Sequence, residues 1–548
     1  MALKLLDPVK EEFGSDLSWG DLIILAGNAA IKSMGGPVLG FCGGRIDDVD
    51  GSDSLILGPS PEQEELTPCQ SIGEQGDCKG LLGPTEVGNI YVNPAGHEGD
   101  SNPEGDIIKD IRSSFGKMGM NETEIVALVG GGHAFGKCHG ACDSPPCGSG
   151  DMQGKGLNTV TSGFEGAWTT QPTTWTNQYF TNLFAFKWNL ITGPGGKPQW
   201  KPENKADPSA QVPDIIMLTS DIAFMYDEEF KTISEKYADD IGFLADQFQH
   251  AWYKLTTSDM GPNSRCLGDD VPDAQAFQTP LPPPPEKLPD FIPVRENIQS
   301  LIDEKKENRG TFIDLAMNCA STFRVTDYDG GCNGAFTRFE DGSKDAIDTL
   351  KSVKDKHSEV SYADIIVLAG QVALEDAGSI SMSFCGGRVD APDASARAHL
   401  QPIVYRSDLS AHVKVKDSMV VKGLTFKQGV ALAGTPDGTE TISNKFFIDL
   451  IAASDANDQG TFADDQFALV QDDEVKAVVK LFAVDEGEFK REFVSGWSYL
   501  MNADQFDGPR CNMCSDMDTP TISEAKKGLS NTATALISVF STLLLLVW

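Results

Sequence analysis

The chain has 548 residues, more than one ordinary hydrophobic core accommodates, so two or more domains are expected. Apolar residues make up 40% and charged residues 23%, a globular mix. With 81 acidic against 44 basic residues the net charge is −37, which argues against DNA or RNA as a partner, since a polyanion would be repelled. In chain order, the opening MALKLLDPVKEEFG turns charged at Lys4 and has no long apolar run, so it does not read as a secretion signal. Residues 18–47 begin with Ser18, a good N-cap, and Asp21 follows at the third helical position of an apolar, helical run. Cysteines then cluster, at Cys69 and Cys78 and again at Cys138, Cys142 and Cys147. With His139, the second cluster offers three thiolates and an imidazole to zinc; in an exported protein the same cysteines read as disulfides. Within that region VGGGHAFGKCHG, 129–140, runs three glycines into His133 in a chain of seven histidines.

Four consecutive prolines in QTPLPPPPEKLPDFIP, 278–293, exclude helix and central strand and predict a stiff extended linker. Beyond it the chain repeats itself. Residues 361–390 align with 18–47 without a gap, at an offset of 343, and 14 of 30 positions are identical. Ser361 and Asp364 stand where Ser18 and Asp21 do, and both segments end in FCGGR. TNQYFTNLFAF (176–186) echoes SNKFFIDLIAA (443–453), and HAWYKLTTSDMGP (250–262) echoes SGWSYLMNADQFDGP (495–509). Apolar spacing of three and four elsewhere predicts an all-α protein. The expected organisation is a first copy at 1–277, a linker at 278–294, a second copy at 295–512 and a tail at 513–548. Residues 295–360 precede Ser361, whereas only 1–17 precede Ser18, so the first copy is expected to lack an opening helix and glycine-rich loop. The tail ends in TALISVFSTLLLLVW; fifteen helical residues at roughly 1.5 Å each fall short of the roughly 30 Å hydrocarbon layer. That segment reads as a removable lipid-anchor signal or a marginal membrane attachment through 533–548, against the alternative of a frayed apolar end.

Several separated blocks make the chain similar to catalase-peroxidases, bifunctional haem enzymes of the class I peroxidase group: LSWGDLIILAGNAA, GNIYVNPAGHEG, MGMNETEIVALVGGGHAFGKCHG, TSGFEGAWTTQPTTW, MLTSDIAFMYDEEF, AWYKLTTSDMGPNSR and the whole second copy. The resemblance implies two tandem haem-peroxidase-like helical domains and haem b as cofactor. It makes His133 the proximal iron ligand, a role that imidazole suits. Gly131 and Gly132 are then expected to let the backbone pass close to the porphyrin. Lys137, His139 and Ser162 fall at positions facing the haem propionates. Asp221 falls where the family fixes the other ring nitrogen of the ligand, and Trp168 where it packs a tryptophan on the imidazole. Tyr91 and Met118 match two members of the family's Trp-Tyr-Met adduct, and Arg265 its mobile arginine.

The implied function is reduction of hydrogen peroxide through an oxyferryl intermediate, followed by oxidation of a second peroxide or of a small electron donor. The family's distal Arg, Trp and His lie on the opening helix, for which the first copy offers no counterpart. At those positions the second copy has Asp314, Met317 and Asn318, and its VALAGTPDG (430–438) has no histidine, so it is expected to be a haemless scaffold. Ala134 and Cys138 replace the family's usual threonines, and the added cysteines suggest an exported or cell-surface, lipid- or tail-anchored form. A homodimer is the family's usual assembly. The competing reading is a non-catalytic haem-binding or surface-anchored structural protein without the distal residues.

Overall fold

A computed structural model describes residues 2–47, 92–142, 147–159, 162–325, 328–378, 381–394, 410–436 and 441–504. Tyr91, the Cys69/Cys78 pair and the apolar tail lie outside the described residues. Among the described residues no helix is long and apolar enough to cross a membrane.

The fold is mostly helical, and the chain divides into two compact units. The first unit holds α1 (Ala2–Phe13), α2 (Trp19–Ser33), α3 (Asp106–Lys117), α4 (Glu122–Gly132), α5 (Gln178–Ala185), α6 (Thr219–Ile222), α7 (Glu228–Asp239) and α8 (Ile241–Thr257). The longest strands among the described residues form one hairpin in this mostly helical fold. Between α5 and α6, β1 (Phe186–Thr192) and β2 (Pro198–Asn204) pair antiparallel, Phe186 opposite Asn204. Trp188 fills the inner face, and Gly195 and Gly196 make the turn. The second unit holds α9 (Ile292–Glu304), α10 (Asn308–Ala320), α11 (Lys344–Lys356), α12 (Tyr362–Asp376), α13 (Ala411–Val421), α14 (Phe426–Ala433), α15 (Lys445–Ala456), α16 (Asp464–Ala468), α17 (Asp473–Val484) and α18 (Glu486–Asn502).

Matching caps lock the two units into one pattern. Ser18 accepts the Asp21 N–H and Ser361 the Asp364 N–H, each at 3.0 Å. Asn121 with Glu124, and Thr425 with Gln428, form capping boxes at the starts of α4 and α14. Asp227 and Asp472 cap α7 and α17. These pairs set the offsets within the repeat: 343 early, 304 at α4 and α14, and 245 from α6 and α16 onward. The two cores are aromatic-rich, with Tyr179, Phe180, Phe230 and Phe248 in the first and Phe312, Phe447, Phe489 and Trp497 in the second.

The boundary between units is not where composition put it. Residues 43–47 and 259–266 group with the second unit. There Arg45 lies 3.5 Å from Asp259, and the Tyr328 hydroxyl donates to the Gly44 carbonyl at 2.8 Å. The expected linker also ends early: α9 starts at Ile292, with Pro293 in its first turn, where a missing N–H costs nothing.

Candidate active site

The glycine run closes α4, and His133 is its C-cap, at φ −77° and ψ −3°. Cβ atoms built on Gly130 and Gly131 would collide with the rings of Phe180 and Phe248. These two glycines therefore let core aromatics press against the helix, which corrects the expectation for Gly131 of a backbone cleared for a porphyrin. Gly132 differs, because a Cβ there would meet open space. Trp175 also steadies the helix end, donating its indole N–H to the Gly131 carbonyl at 3.0 Å.

The structure brings His133, Asp221 and Trp168 together. Asp221 sits on the short α6, whose first residue, Thr219, donates its backbone N–H to the Pro94 carbonyl at 2.9 Å. The Asp221 carboxylate is fully buried and collects four donors. His133 Nδ1 donates to Oδ1 at 2.8 Å and the Tyr179 hydroxyl to Oδ1 at 2.9 Å. Trp168 Nε1 and the Leu218 N–H each donate to Oδ2 at 2.8 Å. The Trp168 ring stacks on the imidazole at 4.0 Å and 10°, and the Tyr179 ring meets it edge-on at 5.8 Å. Burial alone would push the Asp221 carboxyl up. The His133 charge and hydrogen bond, with the Leu218 and Trp168 donors, outweigh it and hold the group below the usual carboxylate range. Burial and the Asp221 charge push the Tyr179 phenol well up, so it stays a donor. Nδ1 of the partly exposed His133 points to Asp221, and Nε2 has no partner among the described residues.

Beyond His133 the chain pairs with a second segment. Cys138 and Gly166 exchange backbone hydrogen bonds of 2.9 and 3.2 Å. This gathers Lys137, His139 and Ser162 on adjoining strands of loop, with the Ser162 hydroxyl donating to the His139 carbonyl at 3.2 Å. Lys137 is engaged by Glu165 at 3.1 Å. The zinc alternative gains no support here. Cys142 is bonded to Cys147, and burial with the Asp221 and Glu165 charges pushes the Cys138 thiol up to about 12. No metal-binding cluster occurs among the described residues.

The remaining candidates are not drawn into this cluster. Met118 caps α3 and packs, half-buried, on the first core. Arg265 belongs to the second unit, where its guanidinium lies 3.5 Å over the Tyr328 ring. Tyr179 was missed by sequence reasoning. It lies in a segment that repeats at α15 with Phe446 in its place, so it read as one more core aromatic. In the second unit Gln466 occupies the Asp221 position and keeps the capping bond, accepting the Ala463 N–H at 3.1 Å.

The peroxidase family matches residues 1–240 and 294–436. The chain is similar to the catalase-peroxidase of Saccharopolyspora erythraea, with 34% identity covering 92% of this chain and 81% of the relative. It is equally similar to that of Escherichia coli, at 34% and the same coverage. With the catalase-peroxidase of Natronomonas pharaonis it shares 33% identity, covering 92% and 84% of the two chains.

Proposed function

The chain belongs to the catalase-peroxidase family, and on that premise we propose that His133 is the axial iron ligand of the enzyme and Asp221 its anchor. The protein is an oxidoreductase acting on peroxide, with haem b as its cofactor. The supporting observation is the convergence of four donors on one buried carboxylate, which leaves Nε2 as the free face of the imidazole. The residues present fit the group: an oriented imidazole, open space beside Gly132, and exposed Lys137 and His139 to meet propionates.

When bound, haem b supplies the redox chemistry that reduces hydrogen peroxide and oxidises a second peroxide or a small donor. The protein's part is positional. Asp221 accepts a hydrogen bond from Nδ1–H, which fixes the tautomer and makes the ligand more basic. Trp168, stacked on the ring and tied to the same carboxylate, stops the imidazole from rotating. Tyr179 and the Leu218 N–H fill the remaining acceptor sites, so the carboxylate stays ionised without water. The catalase half of the activity is assigned to Tyr91, Met118 and Arg265 on the family resemblance.

A titration of the protein with haem tests the assignment. His133→Ala is expected to abolish the histidine-type Soret spectrum, while the far-UV circular dichroism stays helical. A wild-type-like Soret band in that variant refutes the ligand assignment.

A further inference from the structure

The second unit carries a cavity of about 290 Å³ that no part of the peroxide chemistry uses. Its walls come from α10, α13, α14, α16 and α18, and Met317, Met419, Leu432 and Leu469 make them largely apolar. An apolar protein cavity of about 150 Å³ takes one benzene ring, so this volume admits a substituted ring. Thioether sulfurs, here Met317 and Met419, make favourable contacts with aromatic faces. Ser321, Ser418, Asp465, Lys422 and Gln466 break the apolar lining, and the last two carry spare donors. Lys422 stands at the Met118 position of the repeat, and Gln466 at the Asp221 position.

Both are underused donors. The hydrogen bond of the Lys422 ammonium is a long one, 3.4 Å to the Ser418 carbonyl. Burial, joined by the Arg324 charge and opposed by Asp417, pulls this amine below the usual lysine range, so an anion at its side would relieve the cost of its charge. Gln466 spends its carbonyl oxygen on the Ala463 N–H, and its NH₂ has no partner among the described residues. Asp465, also on the lining, is exposed and accepts the Gln466 N–H at 2.8 Å, so water screens its charge.

We propose that the second unit binds a small aromatic carboxylate in this cavity, its ring against Met317 and Met419 and its carboxylate on Lys422 and the Gln466 amide. The duplicated unit is then a ligand-binding module as well as a scaffold. Calorimetric titration of the full-length, haem-loaded protein with benzoate, and with benzyl alcohol as the neutral counterpart, tests it. Benzoate is expected to bind one site and benzyl alcohol to bind much more weakly. Lys422→Met, which installs the residue of the first copy, is expected to weaken benzoate roughly 10-fold or more, the loss of a charged hydrogen bond. Gln466→Glu keeps the capping bond and sets a carboxylate against the ligand, so it is expected to abolish binding. That variant decides the matter should Lys422→Met fail to fold by circular dichroism. Three results overturn the proposal: no benzoate binding, equal binding of benzoate and benzyl alcohol, or benzoate binding that survives both substitutions. Binding lost in His133→Ala but kept in Lys422→Met places the ligand in the first unit and overturns it equally.

Discussion

The two units share a skeleton and differ in where they bury charge. In both, an asparagine ties the start of one helix to the end of another. Asn177 donates to the Tyr237 and Ala238 carbonyls at 3.2 and 2.8 Å, and Asn444 to the Phe482 and Ala483 carbonyls at 3.0 Å each. Arg112 spans Asp227 and Glu229 in the first unit, and Lys416 spans Asp472 and Glu474 in the second. The first unit then buries Asp221 beneath a histidine. The second replaces Asp221 by Gln466 and Tyr179 by Phe446, and has a cavity that Gln466 lines. Its own buried pair lies elsewhere, Arg388 to Asp364 at 2.9 Å, both side chains almost wholly enclosed. A buried carboxylate without its partners costs several kcal/mol, so the acid and the groups it serves are lost together. Helix cover differs as well. In α12 every residue from Ala363 to Leu374 is buried, with α10 packed alongside, whereas α2 buries three residues.

Substitutions that exchange or break these features sharpen the contrast. The largest effect is expected from His133→Ala, which removes the one iron ligand proposed and should leave no specific haem complex. Next, Arg388→Met strands the buried Asp364 and is expected to cost the second unit about 3–5 kcal/mol in denaturant melts. Asp221→Gln writes the second copy's residue into the first. It removes the charge that orients His133, and haem affinity should fall roughly 10–100-fold by Soret titration. A matched glycine pair tests helix cover. At Gly370 a Cβ would strike Ala316 of α10 and come within 3.1 Å of Trp497; at the equivalent Gly27 it meets only Trp252, at 3.3 Å. Gly370→Ala is therefore expected to destabilise by about 1–3 kcal/mol, and Gly27→Ala to stay within about 1 kcal/mol of neutral, with helix propensity offsetting the contact.

The smallest effect belongs to Arg112→Lys. Arg112 grips Asp227 with two bonds of 2.8 and 2.9 Å, and a lysine cannot reproduce that fork. The loss should stay under about 1 kcal/mol because the site is partly exposed. The hydrogen bonds from Arg112 hold the Asp227 carboxyl below its usual range. Its contribution is therefore complete above the unfolded value of about 3.9 and disappears as pH falls through the lower folded value. The wild-type advantage over Arg112→Lys should accordingly vanish in acid melts at the low end of that window.

Part of this was legible in the residues. The duplication shows in FCGGR and the paired serines, because an N-cap and a tight glycine turn demand particular side chains locally. His133, Trp168 and Asp221 were found by resemblance, and the geometry places them in mutual contact. Tyr179 was not legible, because a phenol that donates to a carboxylate and a plain core aromatic leave the same mark in a sequence. The neighbour of Gly131 was not legible for a related reason. Glycine reports that something comes close, and only the fold reveals that it is Phe248. The β1–β2 hairpin escaped because NLITGPGGKPQW carries turn residues but no strict alternation over the whole of either strand.

By itself, the sequence determined the repeat, the helical class and the caps, all of which depend on residue type or on spacing along one segment, while the family resemblance singled out His133. The tertiary structure decided which four donors share the Asp221 carboxylate, which unit residues 43–47 and 259–266 join, and that the second unit keeps a cavity lined by Gln466. Apart from the local Leu218 N–H, those features join residues tens to hundreds of positions apart. They depend on how side chains fill space once the helices have packed, and no local pattern encodes that.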